Sequence, residues 1–302
     1  MRTYIIGTGG VGGLFGGLLA RGGMDVTFLA RGEHYEVMKN HGLIVKSVIE
    51  DFQIKPAKVA GSIAEIQSPD FIMFAVKTYD TADVAQQLAH VVTKNTVIIT
   101  FKKGVDNDNE IKKYVKKARV FPGLVFVSST RTAPGVIEQT GGARKLIFGD
   151  RKSSDNKDLK RIQNMMVEAG IDATISDNIT LDLWKKFIFI CAFSGMTAIC
   201  RSTIGKVLSD PLAKGIYEDC VREAIAVAET LRVNIPDATF DEVMQISQAF
   251  APDSKSSLLV DIGNNWKNEI ETLNGTLVRF AHSHKVSVPI NQLIYSGIRL
   301  LS

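Results

Sequence analysis

Three cysteines in 302 residues are too few for a disulfide framework. Cys191, Cys200 and Cys220 also lack the short paired spacing of a metal site, so each reads as a small buried residue in a reducing cytoplasm. Five histidines are equally scattered. Only His282 and His284 lie close, and a two-residue step puts them on different faces of a helix, so no metal is expected. No unbroken run of about 20 apolar residues occurs, which excludes an expected membrane span. The first apolar run reads as a strand and not as a signal peptide. Charge of one sign is also scarce. A net +4 does not by itself point to nucleic acid, though it suits an anionic small molecule. The local run Lys112, Lys113, Lys116, Lys117, Arg119 reads as a solvated helix face before it reads as a nucleic-acid patch. Internal repeats and low-complexity segments are lacking too.

What is present begins at residue 2. Tyr4-Ile5-Ile6 is long enough for one buried strand, and Gly7-Thr8-Gly9-Gly10-Val11-Gly12 then fits G-x-G-x-x-G. Leu14, Phe15, Leu18 and Leu19 are spaced for one face of a helix, Gly22-Gly23 stops it, and Met24 to Leu29 reads as a second strand. Each motif residue has a mechanical role. Gly7 permits the tight turn, Gly9 lets a pyrophosphate approach the backbone, and Gly12 lets helix and strand pack closely. Gly10 and Val11 open the helix whose free N–H groups face the phosphates. A lone glycine motif is weak, but its strand–turn–helix setting makes dinucleotide binding the expectation.

The end of the second strand lacks the Asp or Glu that an NAD site uses on the ribose hydroxyls; Ala30-Arg31-Gly32 stands there. A guanidinium at that point suits a 2′-phosphate, which favours NADP. A solvated loop role for Arg31 is the other reading, and Glu33 nearby is a mild counter-signal.

Further along, Leu43–Val48 and Phe52–Val59 read as strands around Glu50-Asp51. Phe71–Val76 is a buried strand with Lys77 at its carboxyl end, where open α/β sheets bind ligands. An exposed loop lysine is the equal alternative. Val97–Phe101 is followed by Lys102-Lys103-Gly104, Asn109–Lys117 reads as a basic helix, and Val120–Val127, Val136–Gln139 and Lys145–Phe148 as strands. A helix is expected from Asp155 to Ala169. After Ile175 helical periodicity takes over. The expected domains are 1–177, an α/β dinucleotide-binding Rossmann domain, and 178–302, an all-α domain. Its expected helices are Ile179–Cys191, Gly195–Gly205, Pro211–Leu231, Asp237–Ala249, Ser256–Ile262 and Lys267–His284. In the first of these, Lys186, Ile190 and Ser194 fall at four-residue spacing on one face, apart from the apolar stripe of Trp184, Ile188 and Cys191. Lys186 is there a candidate site lysine or, with Lys185, a solvated one.

Leu183-Trp184-Lys185-Lys186 with Thr197-Ala198-Ile199, the N-terminal glycine motif and Ala75-Val76-Lys77 together resemble the ketopantoate reductase (2-dehydropantoate 2-reductase) family. Ser256 to Asp261, Asn268-Glu269-Ile270, Leu273-Asn274-Gly275 and Val288-Pro289-Ile290-Asn291 match too. The resemblance spans essentially the whole chain. It implies a second domain like the helical domain of 6-phosphogluconate dehydrogenase. It makes Lys186 the catalytic lysine that protonates a carbonyl oxygen as hydride arrives. Glu269 would orient that lysine and contact cofactor or substrate, Ser257 would bond the substrate carboxylate, and Lys77 would lie in the cofactor and substrate cleft. The implied activity is NADPH-dependent reduction of a 2-oxo acid, ketopantoate to pantoate by default, in cytoplasmic pantothenate and coenzyme A biosynthesis.

Three departures bear on the substrate. Lys103, Ile190 and Ser194 stand where the family has Asn; Lys103 is placed with the cofactor residues, with a contact to substrate, as a cation for an extra anionic group, left open, and Ile190 and Ser194 are placed on the substrate side with altered polarity. Two alternatives therefore stay open: a paralogous reductase of another oxo acid or ketone, and a non-catalytic NADPH-binding sensor, against which intact Lys186 and Glu269 weigh. A second copy of the chain is the one macromolecular partner left open.

Overall fold

Strands of four apolar residues bury both faces at once, and that decides the first half of the molecule. In the computed structural model, which describes residues 1–301, Thr3–Ile6 (β1), Phe71–Phe74 (β6) and Val97–Thr100 (β7) are buried along their whole lengths. Alternate side chains enter two different cores. Ile5, Met73 and Ile99 pack with Leu14 and Phe15 of Gly10–Arg21 (α1) and with Leu159 and Ile162 of Lys157–Glu168 (α5). Ile6, Ile72 and Ile98 pack with Val84 of Thr81–Leu88 (α3) and Ile111 of Asn107–Tyr114 (α4). A sheet covered on both faces needs no polar side, so these strands read as continuous apolar runs.

The remaining elements of this unit are Val26–Leu29 (β2), Gly32–His41 (α2), Leu43–Ser47 (β3), Phe52–Ile54 (β4), Lys58–Ala60 (β5), Arg119–Ala133 (β8), Val136–Phe148 (β9) and Asp172–Ile175 (β10). The sheet runs β4-β3-β9-β8-β7-β6-β1-β2-β5, with β10 on β9. The stretch from β8 to β5 is parallel throughout. The chain leaves β1 for β2 on one side and returns as β6 on the other, so a switch point lies beyond the carboxyl ends of β1 and β6. This is the Rossmann architecture.

Several elements differ from the sequence reading. The segment 52–59 is two strands at opposite edges: β4 pairs antiparallel with β3, β5 parallel with β2. Three expected strands are two longer ones, β8 and β9, in an antiparallel hairpin with register shifts. Its outer part is polar and exposed, so burial leaves no pattern there. Helix α4 ends at Tyr114, and the basic run is largely paired. Lys112 meets Asp108 at 2.9 Å, Lys113 meets Glu110 at 2.5 Å, and Arg119 bonds Asp158.

Contacts divide the chain into two units: Met1–Lys102 with Asp106–Ile179, and Lys103–Val105 with the chain from Thr180 on. The second unit is helical: Ile179–Ile199 (α6), Ile204–Ser209 (α7), Pro211–Thr230 (α8), Thr239–Ala249 (α9), Ser257–Gly263 (α10), Asn274–His284 (α11) and Pro289–Leu300 (α12). α8 is central and packs on α7, α9, α11 and α12. Asp210 caps it, its Oδ1 accepting from Leu212 and Ala213 N–H at 3.0 and 2.8 Å, with Pro211 in the first turn. Glu223 of α8 in turn caps α12 through the N–H groups of Ile290 and Asn291, at 2.8 and 2.9 Å.

The helix expected to end near Cys191 continues to Ile199 through Gly195. A Cβ on Gly195 would lie 2.8 Å from Ile294 Cγ2 and 3.1 Å from Asn274 Nδ2, so this glycine marks close helix approach and not a break. The helix expected from Lys267 starts at Asn274, and α12 lies beyond the expected helices. Cys191 and Cys220 are buried as expected, whereas Cys200, just past the end of α6, is exposed. Among the described residues no helix is long and apolar enough to cross a membrane.

Candidate active site

The glycine turn is held by backbone on every side but one. Gly7, at φ +101°, would put a Cβ 2.6 Å from Val76 N, so β1 and the segment after β6 touch here. Gly12 would collide with Gly7 O at 2.2 Å and Gly10 with Ser129 O at 2.2 Å. Gly9 is different: nothing lies within 4 Å of its Cβ position. It is the N-cap of α1, with no side-chain hydrogen bond closing the helix end. Open space in front of uncapped helix N–H groups suits a pyrophosphate. Lys77 follows Val76, is exposed, and caps the 3₁₀ turn Thr78–Asp80 through its backbone.

Arg31 is exposed at the N-cap of α2. It lines a cavity of about 300 Å³ together with Glu33, His34, Arg131, Thr132 and Pro134. Arg131 comes from the far end of β8, where no local motif marks it. His34 explains how it arrives. Its Nε2–H donates to Thr8 O (2.9 Å) and its Nδ1 accepts from Gly135 N–H (2.8 Å), tying the glycine turn to the β8–β9 hairpin. Both ring positions are thus fixed in the neutral form. Burial, helped by the nearby Arg131 charge, holds the imidazole below its usual range, while the Thr8 carbonyl opposes that shift. Among the described residues neither the Arg31 nor the Arg131 guanidinium has a hydrogen-bond or ion-pair partner. Two unpaired guanidiniums on one cavity make an anion site.

The helical unit holds the second cluster. Lys103 Nζ donates to Ser257 Oγ at 2.7 Å and lies 3.1 Å from Glu269 Oε2. Glu269 is 6% exposed. It sits in irregular backbone before α11, where its carbonyl accepts from Thr272 and Leu273 N–H. Ser256, the buried neighbour of Ser257, caps α10 through Leu259 N–H (3.1 Å) and accepts from Thr197 of α6 (2.8 Å). That anchoring leaves Ser257 pointing outward, and it is exposed. Lys186 of α6 is half-buried as a residue, but its ammonium lies deep among protein atoms. Burial first, and the charge of Lys103 second, push it down to about 7. Lys185 turns away and pairs with Glu242 of α9 at 2.6 Å.

The cluster therefore brings Lys103, Ser257, Glu269 and Lys186 together. Ile190, half-buried, and Ser194, 4% exposed, follow Lys186 along α6. The Asn274 and Asn291 stretches are structural: Asn274 Nδ2 donates to Cys191 O (3.2 Å) and Asn291 Oδ1 (2.9 Å) deep in the helical core.

A dinucleotide-binding sheet joined to a helical unit that pairs Lys103 with buried Glu269, with the deep Lys186 ammonium in the reach of Lys103's charge, is an architecture suited to an oxidoreductase. Comparisons make it specific. The family model for ketopantoate reductase PanE/ApbA matches residues 3–153, and that for its C-terminal domain residues 178–302. The chain belongs to the ketopantoate reductase family, whose members are oxidoreductases. Relatives at 26% identity over 99% of this chain and 98% of their own lengths include an uncharacterised oxidoreductase of Bacillus subtilis, YkpB, and a 2-dehydropantoate 2-reductase of Halobacterium salinarum. A crystal structure of a PanE/ApbA family ketopantoate reductase from Ralstonia eutropha superposes with a TM-score of 0.93 at 26% identity, covering all of this chain and 98% of that one.

Proposed function

We propose that the protein is an NADPH-dependent 2-oxo acid reductase, with ketopantoate to pantoate as its default reaction, a cytoplasmic step of pantothenate biosynthesis. The observation that carries this reading is the deep ammonium of Lys186, brought to about 7 in a cluster with Glu269 and Lys103. A bound NADPH supplies the hydride. The chain supplies the rest. Gly9 and the start of α1 receive the pyrophosphate, and Arg31 and Arg131 take the 2′-phosphate. Lys77, exposed just past β6, would serve the phosphate and substrate side of the switch point. Lys186 holds a proton at Nζ and gives it to the carbonyl oxygen as negative charge develops there. A pKa near the working pH is the best compromise between being loaded and being able to release. Glu269, 3.1 Å from Lys103, offsets the charge of that ammonium.

The test is NADPH oxidation with a panel of 2-oxo acids. Steady turnover supports the reading; tight NADPH binding with no turnover on any of them supports the sensor alternative. The second enzyme reading, an oxo acid other than ketopantoate, rests on Ile190. An Asn there could bond the terminal hydroxyl of ketopantoate, and an isoleucine cannot. A site that lacks the partner for a substrate hydroxyl forfeits much of its discrimination. An Ile190→Asn variant that gains on ketopantoate relative to hydroxyl-free oxo acids supports this reading. A homodimer is the proposed assembly, to be checked by light scattering.

A further inference from the structure

Of the three histidines in the sheet unit, His34 alone is buried, at 4% exposure. Main chain occupies both its ring nitrogens: Nε2–H donates to Thr8 O at 2.9 Å, and Nδ1 accepts from Gly135 N–H at 2.8 Å. Thr8 immediately precedes Gly9, the motif glycine with open space before it, and its hydroxyl is itself fixed on Leu29 O at 2.8 Å. Gly135, at φ +73°, turns the chain from β8 into β9, four residues beyond Arg131. The strand ladder does not hold Arg131 by itself, because its register shifts between Arg131 and Ala133. Three contacts close the hairpin end instead. Gly135 N–H donates to His34, Gly135 O accepts from Ile44 N–H at 2.9 Å, and Val37 packs where a Cβ on Gly135 would stand. His34 lies in the first turn of α2, the helix whose N-cap is Arg31. Arg31 and Arg131 line one cavity of about 300 Å³, on which Glu33 is the one acid. Two like charges repel, so keeping the second guanidinium beside the first needs a firm support.

We propose that His34 is a positioning residue for nucleotide selectivity: through Gly135 it holds Arg131 beside Arg31, so that a phosphomonoester meets two guanidiniums at once, which rests on the assignment of those arginines to the 2′-phosphate of NADPH. With one ring nitrogen donating to Thr8 and the other accepting from Gly135, His34 has no N–H left for the phosphate and acts through Arg131. Its two tethers serve different groups. The pyrophosphate in front of Gly9 is common to NADPH and NADH, so the Thr8 tether bears on both. The 2′-phosphate belongs to NADPH alone, so the Gly135 tether bears on that nucleotide only.

The experiment titrates NADPH and NADH, by fluorescence, into the natural protein, His34→Gln, His34→Asn, Arg131→Ala and the double variant His34→Gln with Arg131→Ala. A glutamine amide nitrogen reaches the place of Nε2 and keeps the donor to Thr8, but leaves Gly135 N–H without its acceptor. An asparagine amide oxygen takes the place of Nδ1 and keeps the Gly135 bond, but loses Thr8. His34→Gln is expected to weaken NADPH about 3- to 10-fold, the effect of one hydrogen bond passed on to the guanidinium, and NADH by less than about twofold. His34→Asn is expected to weaken both nucleotides alike and leave their ratio unchanged. Once Arg131 is alanine, His34→Gln is expected to change NADPH affinity by less than about twofold, because the group it positions is gone. An NADPH loss that persists in full in the double variant overturns the proposal, since a merely structural histidine gives additive effects. So does a His34→Gln variant with the natural NADPH-to-NADH ratio. If Arg131→Ala itself leaves NADPH affinity unchanged, the assignment of Arg131 to the 2′-phosphate fails and the role of His34 with it. If Arg131→Ala weakens NADPH and His34→Gln does not, only the role of His34 fails. Thermal unfolding confirms that folded protein is compared. Should His34→Gln not fold, His34→Met takes its place in the same cycle: its loss of NADPH beyond that of NADH must vanish with Arg131→Ala, and an excess that stays overturns the proposal.

Discussion

Lys185 and Lys186 are adjacent in sequence and part company in space. A helix turns about 100° per residue. Lys185 accordingly meets Glu242 on α9, while the Lys186 ammonium lies deep beside Lys103. Lys186→Ala is expected to lower kcat roughly 10²–10⁴-fold, the usual general-acid range. Lys185→Ala is expected to change it by less than about twofold and stability by about 1 kcal/mol, as for a partly exposed ion pair. Steady-state kinetics on both variants checks this. The same ammonium sets a pH profile. Its value is depressed to about 7 by burial and then by Lys103. The proton that reduction needs is therefore present below that pH and lost as pH rises through it. The kcat/KM for an oxo acid is expected to fall about tenfold per pH unit well above 7, and a profile flat to pH 9 would remove Lys186 as the acid. At the nucleotide end, Arg31→Ala and Arg131→Ala are each expected to weaken NADPH, but not NADH, by about 10- to 100-fold, the worth of a charge-assisted pair. Fluorescence titration of both nucleotides reads the difference.

Elements make sharper demands than residue types do. Gly9 faces open space, whereas Gly12 faces the carbonyl of Gly7 at 2.2 Å. Gly9→Ala is therefore expected to keep the unfolding temperature and lose NADPH affinity. Gly12→Ala is expected to lose stability by about 1–3 kcal/mol or more, the cost of forcing atoms into a packed contact. Calorimetric scans beside nucleotide titrations separate the two. On α4, Asp108 is fully buried between Arg151 (2.8 Å) and Lys112 (2.9 Å). Burial works to raise its pKa, and the two cations override that and hold it below the ordinary carboxylate range. A depressed carboxylate stabilises the fold above the unfolded pKa, near 4, and that contribution is lost as pH falls through the folded value. Arg151→Met is expected to cost about 2 kcal/mol at pH 7, less than the ~3–5 of a fully orphaned buried charge because Lys112 remains. Urea unfolding at pH 7 and pH 3 should show the difference shrinking in acid.

At the scale of the whole molecule, what could be read in the chain is what is local. The strands β1, β6 and β7 announce themselves because both their faces are apolar. The glycine turn is legible because strand, turn and helix are consecutive, and Arg31 because it ends the next strand. The misread elements each needed a distant partner. Gly195 looks like a break until Ile294 and Asn274 are seen against it. The irregular stretch before Asn274 looks helical until Glu269 is seen meeting Lys103. Arg131 reaches the Arg31 cavity only through a hairpin fastened by His34 across 101 residues. Lys103 and Ser257 are 154 residues apart. Sequence could name both residues from family resemblance, but not their direct bond.

Reduction of a 2-oxo acid by NADPH through Lys186 can be followed in a single assay. Purified protein is mixed with NADPH and a panel of 2-oxo acids that includes ketopantoate, and absorbance at the nicotinamide band is followed with the natural chain and with Lys186→Ala. Saturable NADPH oxidation is expected with at least one 2-oxo acid at a kcat/KM of about 10⁴ M⁻¹s⁻¹ or better, within the ordinary enzyme range, with a fall of at least about a hundredfold in the variant. NADPH that binds but is not oxidised by any member of the panel, or a variant as active as the natural chain, would contradict it.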